Sequence, residues 1–118
     1  MSDELCYDIR QLMSYAHRTA KDKGWWDEDR SLGDQFANFH AELSEAWEEY
    51  RKGIPLGKMY SSDTPHGPKP EGFAVEMADL LIRVFDTCEF YNVPLVEAIN
   101  EKMAYNRHRP YRHGNKLA

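Results

Sequence analysis

Two pairs of acids carry the first chemical signal in the chain. Glu42 and Glu45 stand three residues apart, Glu76 and Asp79 repeat that spacing, and 30 residues intervene between Glu45 and Glu76. On a helical wheel at about 100° per residue, Glu42, Glu45 and Glu49 form a stripe roughly 60° wide, beside an apolar arc of Phe39, Leu43, Trp47 and Tyr50. Glu76 and Asp79 hold the same offset on a second helical pattern, where Arg83 takes the place equivalent to Glu49. If the two helices pack antiparallel through their apolar arcs, with axes ~8–10 Å apart, four carboxylates converge on one flank of the seam.

Carboxylates gathered in this way repel one another unless a cation joins them. Mg²⁺ and Mn²⁺ favour carboxylate oxygen, and Mg²⁺ shares its remaining positions with waters and substrate phosphates. The plainer reading is a solvated acidic surface, with Glu49 and Arg83 in ion pairs. A carboxylate-bridged di-iron bundle would require Glu-x-x-His, and the sequence has none. It also lacks the glycine-rich P-loop pattern, so side chains would have to hold any phosphate. Lys102 and Asn106, one helical turn apart and followed by Arg107, Arg109 and Arg112, either meet phosphate or complement a helix C-terminus. Trp25 and Trp26 either stack on a nucleobase or close one end of the core, and His40 is a polar contact or a substrate contact.

Four helical patterns position these residues, and no segment alternates convincingly as a strand. Leu5, Ile9, Leu12, Met13, Ala16 and Ala20 mark the first, which stops near Gly24. The second runs from about Gly33 to Arg51, with Ser31 or Asp34 as N-cap. Lys52 to Pro70 holds seven glycines and prolines, which predicts a long loop. The third helix opens near Glu71 and reaches about Tyr91; the fourth begins at Pro94 and ends near Asn106. Within the basic tail of about residues 107–118, the stretch Tyr111 to Ala118 has little apolar content and is expected to order only on a neighbour or ligand.

At 118 residues the chain is expected to be a single domain spanning 1–118, and 15 aromatic residues separate it from disordered sequences. No apolar run suits a bilayer and the N-terminus has no signal-peptide pattern, so the expected location is cytoplasmic with no membrane partner. Cys6 and Cys88 read as buried reduced thiols. The net charge of -5 divides unevenly: residues 1–101 sum to -10, and residues 102–118 to +5. An acidic body argues against nucleic acid as a partner, but a small polyanion held between bound cations and the tail is compatible with it.

Glu42-Leu43-Ser44-Glu45 and Glu76-Met77-Ala78-Asp79 resemble the E-x-x-E and E-x-x-D motifs of the MazG-like all-α nucleotide pyrophosphohydrolases. The resemblance extends from Lys23-Gly24-Trp25-Trp26 through His40-Ala41-Glu42 and Lys69-Pro70-Glu71-Gly72-Phe73 to Lys102-Met103-Ala104-Tyr105-Asn106 and Arg109-Pro110-Tyr111-Arg112. The interval between the acidic motifs is slightly longer than is commonest in that family. The resemblance implies an all-α fold of four to five helices that forms a homodimer or homotetramer. It implies Mg²⁺-dependent cleavage of nucleoside triphosphates to monophosphate and pyrophosphate, with Mn²⁺ as the other suitable ion. Carried over, Glu42, Glu45, Glu76 and Asp79 would ligate the metal and do the catalysis. Lys102, Asn106, Arg109 and Arg112 would bind phosphate, and Trp25, Trp26 and His40 the base. The rivals are a noncatalytic helical interaction module and an enzyme acting on another phosphorylated metabolite, such as a phosphoribosyl nucleotide.

Overall fold

The computed structural model describes residues 7–117, so Leu5 and Cys6 lie outside the described residues. Helix α1 (Ile9–Asp22) starts at a capping box in which Asp8 accepts from the Gln11 amide and the Gln11 side chain accepts from the Asp8 amide. Gly24, at φ 84°, turns the chain away after it. Helix α2 (Leu32–Arg51) has a second capping box, Ser31 with Asp34, which makes Ser31 the N-cap.

The segment after α2 departs from the expected loop. Strands β1 (Tyr60–Thr64) and β2 (Gly67–Glu71) pair as an antiparallel hairpin, in register from Tyr60 opposite Glu71 to Thr64 opposite Gly67. The fold is therefore mostly helical with one small two-stranded sheet, rather than all-α. Pro68 and Pro70 are tolerated because they alternate with Gly67, Lys69 and Glu71, which leaves the ladder its donors and turns the proline nitrogens to the free edge. Gly72 joins the hairpin to α3 (Phe73–Phe90) at φ 121°, and a Cβ there would sit 2.5 Å from the Lys58 carbonyl oxygen. Only glycine fits that junction. Helix α4 (Leu95–His108) takes Pro94 as its N-cap, and a short helix α5 (Arg112–Asn115) adds order to the basic tail that composition did not suggest.

Helix α3 is central, packed between α1 and α2, while β2 touches it from the hairpin. The partners Gln35–Thr87 and Glu42–Arg83 run in opposite chain directions, so α2 and α3 are antiparallel as expected. The face they share is not the expected one. Gln35, Glu42, Ala46 and Glu49 are the buried residues of α2, whereas Phe36, Leu43, Trp47 and Tyr50 are each at least half exposed. The buried set and the aromatic set have the same spacing shifted by one residue, about 100° around the helix. Two stripes of one helix thus exchange the roles that hydrophobicity assigns them. Helix α4 lies outside the α1–α3–α2 layer, has no buried residue, and is tied to α1 by the Arg10–Glu97 ion pair. Among the described residues no helix is long and apolar enough to cross a membrane.

Candidate metal centre

The inversion of α2 puts its acids against α3. Glu42 and Glu76 are 7% and 8% exposed, Glu45 is exposed at the rim, and one carboxylate oxygen from each lies within 4.8 Å of the others. The two helices deliver them for a simple reason. Three-residue spacing keeps Glu42 with Glu45 and Glu76 with Asp79 on one side of each helix, and the antiparallel packing brings those sides together.

Electrostatics mark this as a strained group of charges. Burial raises the Glu76 carboxyl to about 7, with further contributions from Glu45, Asp79 and Glu42. Asp79 is raised as well, first by burial and then by Glu42, against lowering influences from Arg83 and Lys69. Arg83 Nε donates to Glu42 Oε1 at 2.7 Å, so half of that carboxylate is compensated within the chain. The other half is not: Glu42 Oε2 and Glu76 Oε2 are buried with no hydrogen-bond partner. Buried carboxylate oxygens without donors are costly, and a hard cation is the group whose chemistry answers that deficit. Glu42, Glu45 and Glu76 are the residues fitted to hold one, with Asp79 one turn further along α3.

Glu49, the third acid of the α2 stripe, does different work. The Tyr60 hydroxyl lies 2.8 and 3.1 Å from its two oxygens, Lys52 Nζ lies 3.7 Å away, and the carboxylate raises the Tyr60 hydroxyl to about 12. That pair fastens β1 to α2.

A cavity of about 450 Å³ adjoins the acids, lined by Asp79 and Arg83 together with Trp25, Arg30, Tyr15, Gln35 and neighbours from α1 and α3. Trp25 is thus at the cavity, with the Arg30 guanidinium 5.5 Å above its ring. Trp26 is not free to stack on a ligand from both faces, since its ring lies 3.8 Å from Phe90 in a near-parallel stack. Its indole N–H donates to Asp86 Oδ1 at 2.9 Å, the oxygen that His17 Nδ1 approaches at 2.8 Å. His40 is exposed on α2. Lys102 and Arg109 gather over the Tyr105 ring at 4.9 and 5.3 Å, and Arg112 donates to the Leu117 carbonyl. With Asn106 they stay on α4 and the tail, apart from the packed layer that holds the acids.

Arg83 and Lys69, the cations whose charge acts on Asp79, are ones the sequence did not single out for phosphate, and neither did it single out the buried Gln35. Arg83 had a signal, its place in line with Glu76 and Asp79; Gln35 had none. Cys88 is partly buried, and that burial raises its thiol.

The chain was compared with models of known protein families, with curated proteins and with solved structures. It matches none of them. The functional reading therefore rests on the motif resemblance together with this geometry.

Proposed function

We propose that this chain is a cytoplasmic, Mg²⁺-dependent nucleotide pyrophosphohydrolase that cleaves (deoxy)nucleoside triphosphates to monophosphate and pyrophosphate, clearing surplus or noncanonical nucleotides. The observation that carries the reading is the meeting of Glu42, Glu45 and Glu76 with two buried, unpartnered oxygens beside a cavity. All the donors are carboxylate oxygens, which suits Mg²⁺ and also Mn²⁺. When bound, such an ion neutralises the polyphosphate and makes an attacking water more acidic.

The chain's own residues supply the rest. Glu42 and Glu76, held by two packed helices, fix the site's shape, and Arg83 keeps Glu42 in place from α3. Glu45 is the exposed member of the three, so it is the carboxylate best placed to take a proton from solvent-side water. Asp79 extends the acidic wall toward the cavity. Lys69 and Arg83 set positive charge beside the acids, where phosphate oxygens would meet it. Lys102, Asn106, Arg109 and Arg112 are the remaining phosphate-binding residues of this reading. Because α4 lies outside the packed layer, assembly of copies is the route that brings them to a site. The exposed aromatic stripe of α2 favours such a homodimer or homotetramer.

The test is a panel of ribo- and deoxynucleoside triphosphates, plus a phosphoribosyl nucleotide, assayed for pyrophosphate and orthophosphate release with and without Mg²⁺. Mg²⁺-dependent pyrophosphate release from triphosphates is expected. Glu45→Gln and Asp79→Asn should abolish it while circular dichroism shows unchanged helicity; undiminished turnover in either variant removes the site.

A further inference from the structure

The hairpin turns one of its faces toward the helices that hold the acids. Residues opposite each other in an antiparallel ladder stand on the same face, so the register of Tyr60 with Glu71 and Ser62 with Lys69 groups these four side chains. Tyr60 shows where that face points. Its hydroxyl donates to Glu49 of α2, and Tyr60, Ser62 and Thr64 are half-buried while Ser61 and Asp63 are exposed. Lys69 therefore stands on the helix-facing side of β2, between Pro68 and Pro70, whose fixed φ stiffens the strand around it.

The donors of Lys69 are available to a ligand. Its Nζ lies 3.6 Å from Glu71 Oε1, an ion-pair distance longer than an N–H···O bond, and its side chain is 64% exposed. Its charge also reaches the acids: burial raises the Asp79 carboxyl, and Lys69 and Arg83 oppose that rise. Arg83 is already engaged, since its Nε donates to Glu42.

The order of features along the two helices decides which part of a ligand meets Lys69. Helix α3 leaves the hairpin at Gly72, passes Glu76, reaches Asp79 about 10.5 Å along its axis, and from there to Asp86 lines the cavity. Antiparallel α2 repeats the sequence, with Glu49 at the hairpin, Glu45 and Glu42 next, and Gln35 at the cavity. The acids stand between the cavity and the hairpin. With Ile82 and Phe85 in its lining, the cavity is the side suited to the organic half of a ligand, which leaves the far phosphates at the hairpin.

We propose that Lys69 receives the terminal phosphate of the polyphosphate, so that the hairpin makes the site select triphosphates over diphosphates. An ammonium meets phosphate as a compact point charge with three donors, and a diphosphate held at the same acids ends short of it. Tyr60 acts as a positioning residue, since its bond to Glu49 holds this face of the hairpin against α2. The proposal rests on the nucleotide reading above but makes a separate prediction, because it concerns the length of the phosphate chain rather than turnover.

The experiment measures kcat and KM with Mg²⁺ for the best triphosphate of the nucleotide panel and for its diphosphate, in the full chain and three variants. Lys69→Gln should lower kcat/KM for the triphosphate roughly tenfold to a hundredfold, the effect of losing one charge-assisted hydrogen bond, and lower the diphosphate far less, so that their ratio collapses. Lys69→Arg, which keeps the charge, should retain most of the preference. Tyr60→Phe should narrow the same ratio, and narrow it no further when Lys69 is already Gln. Equal losses for the two substrates, or an unchanged ratio in Lys69→Gln, would overturn the proposal. Thermal melting checks that each variant folds, which the exposure of Lys69 leads us to expect. Calorimetric titration with inorganic tripolyphosphate and Mg²⁺ needs no nucleotide turnover and separates the two ideas. Tripolyphosphate binding that weakens about tenfold in Lys69→Gln, in a chain that hydrolyses no nucleotide, sinks the enzyme reading and leaves the phosphate site standing. Nucleotide hydrolysis whose triphosphate preference ignores Lys69 sinks the hairpin's role alone.

Discussion

Protonation of Glu76 ties the acid cluster to the stability of the chain. Burial, followed by Glu45 and its other acidic neighbours, holds this carboxyl at about 7 instead of 4.5. A carboxyl raised on folding favours the folded state in its protonated form. That contribution is whole below the unfolded value near 4.5 and is lost as pH rises through about 7. Metal-free protein should therefore melt at a lower temperature at pH 8 than at pH 5, and Glu76→Gln should flatten the profile over that window. Under the proposed reading Mg²⁺ would take the ionised form, so added Mg²⁺ is expected to stabilise more at pH 8 than at pH 5. A melting profile in which wild type and Glu76→Gln run parallel from pH 5 to 8 would count against this assignment. At this scale the sequence was partly legible. Three-residue spacing placed Glu42, Glu45, Glu76 and Asp79 on matching sides of two helices, and that placement does not depend on which neighbouring stripe is buried. Gln35 was not legible, because a single amide near a helix start has no partner at periodic spacing to betray its burial.

The hairpin shows what composition conceals at the level of elements. Proline and glycine density between Lys52 and Pro70 reads as loop, yet alternate placement lets Pro68 and Pro70 sit in a two-stranded ladder without breaking it. Its two attachments are the Tyr60–Glu49 pair and the Gly72 junction. Gly72→Ala should cost about 1–3 kcal/mol in urea unfolding, since the added methyl meets the Lys58 backbone and the φ is unfavourable for any side chain. Tyr60→Phe should remove the tyrosine that ionises near 12 in an alkaline absorbance titration. If the titration of that variant matches wild type, the hydroxyl is not held by Glu49. The helices themselves were readable to within a few residues because their caps are local chemistry: Ser31 with Asp34, and glycines at positive φ after α1 and α2.

The whole molecule is open for its length. Its radius of gyration is 17.1 Å, against about 13.5 Å for a compact domain of this size. Among the described residues the buried apolar side chains are Met13, Ala16 and Ala46 only, while Phe36, Leu43, Trp47 and Tyr50 face outward along α2. Ordinary hydrophobic reasoning assigned that stripe to the interior of a single chain, which is why the buried face of α2 was misread. Light scattering is expected to show a dimer or tetramer, and Trp47→Asp should shift it toward monomer with loss of pyrophosphate release. A wild-type monomer at assay concentration would refute assembly through this face. The paired stripes of α2 also bear on how such a sequence is able to diverge. One residue inserted between Gln35 and Glu42 would swing Glu42, Ala46 and Glu49 about 100° toward the direction the aromatic residues now face, emptying the acid cluster and misplacing the outer face together. Related chains are therefore expected to vary α2 by substitution at fixed length, and to accumulate insertions and deletions at the hairpin tip around Pro65 and His66, where added residues disturb neither stripe.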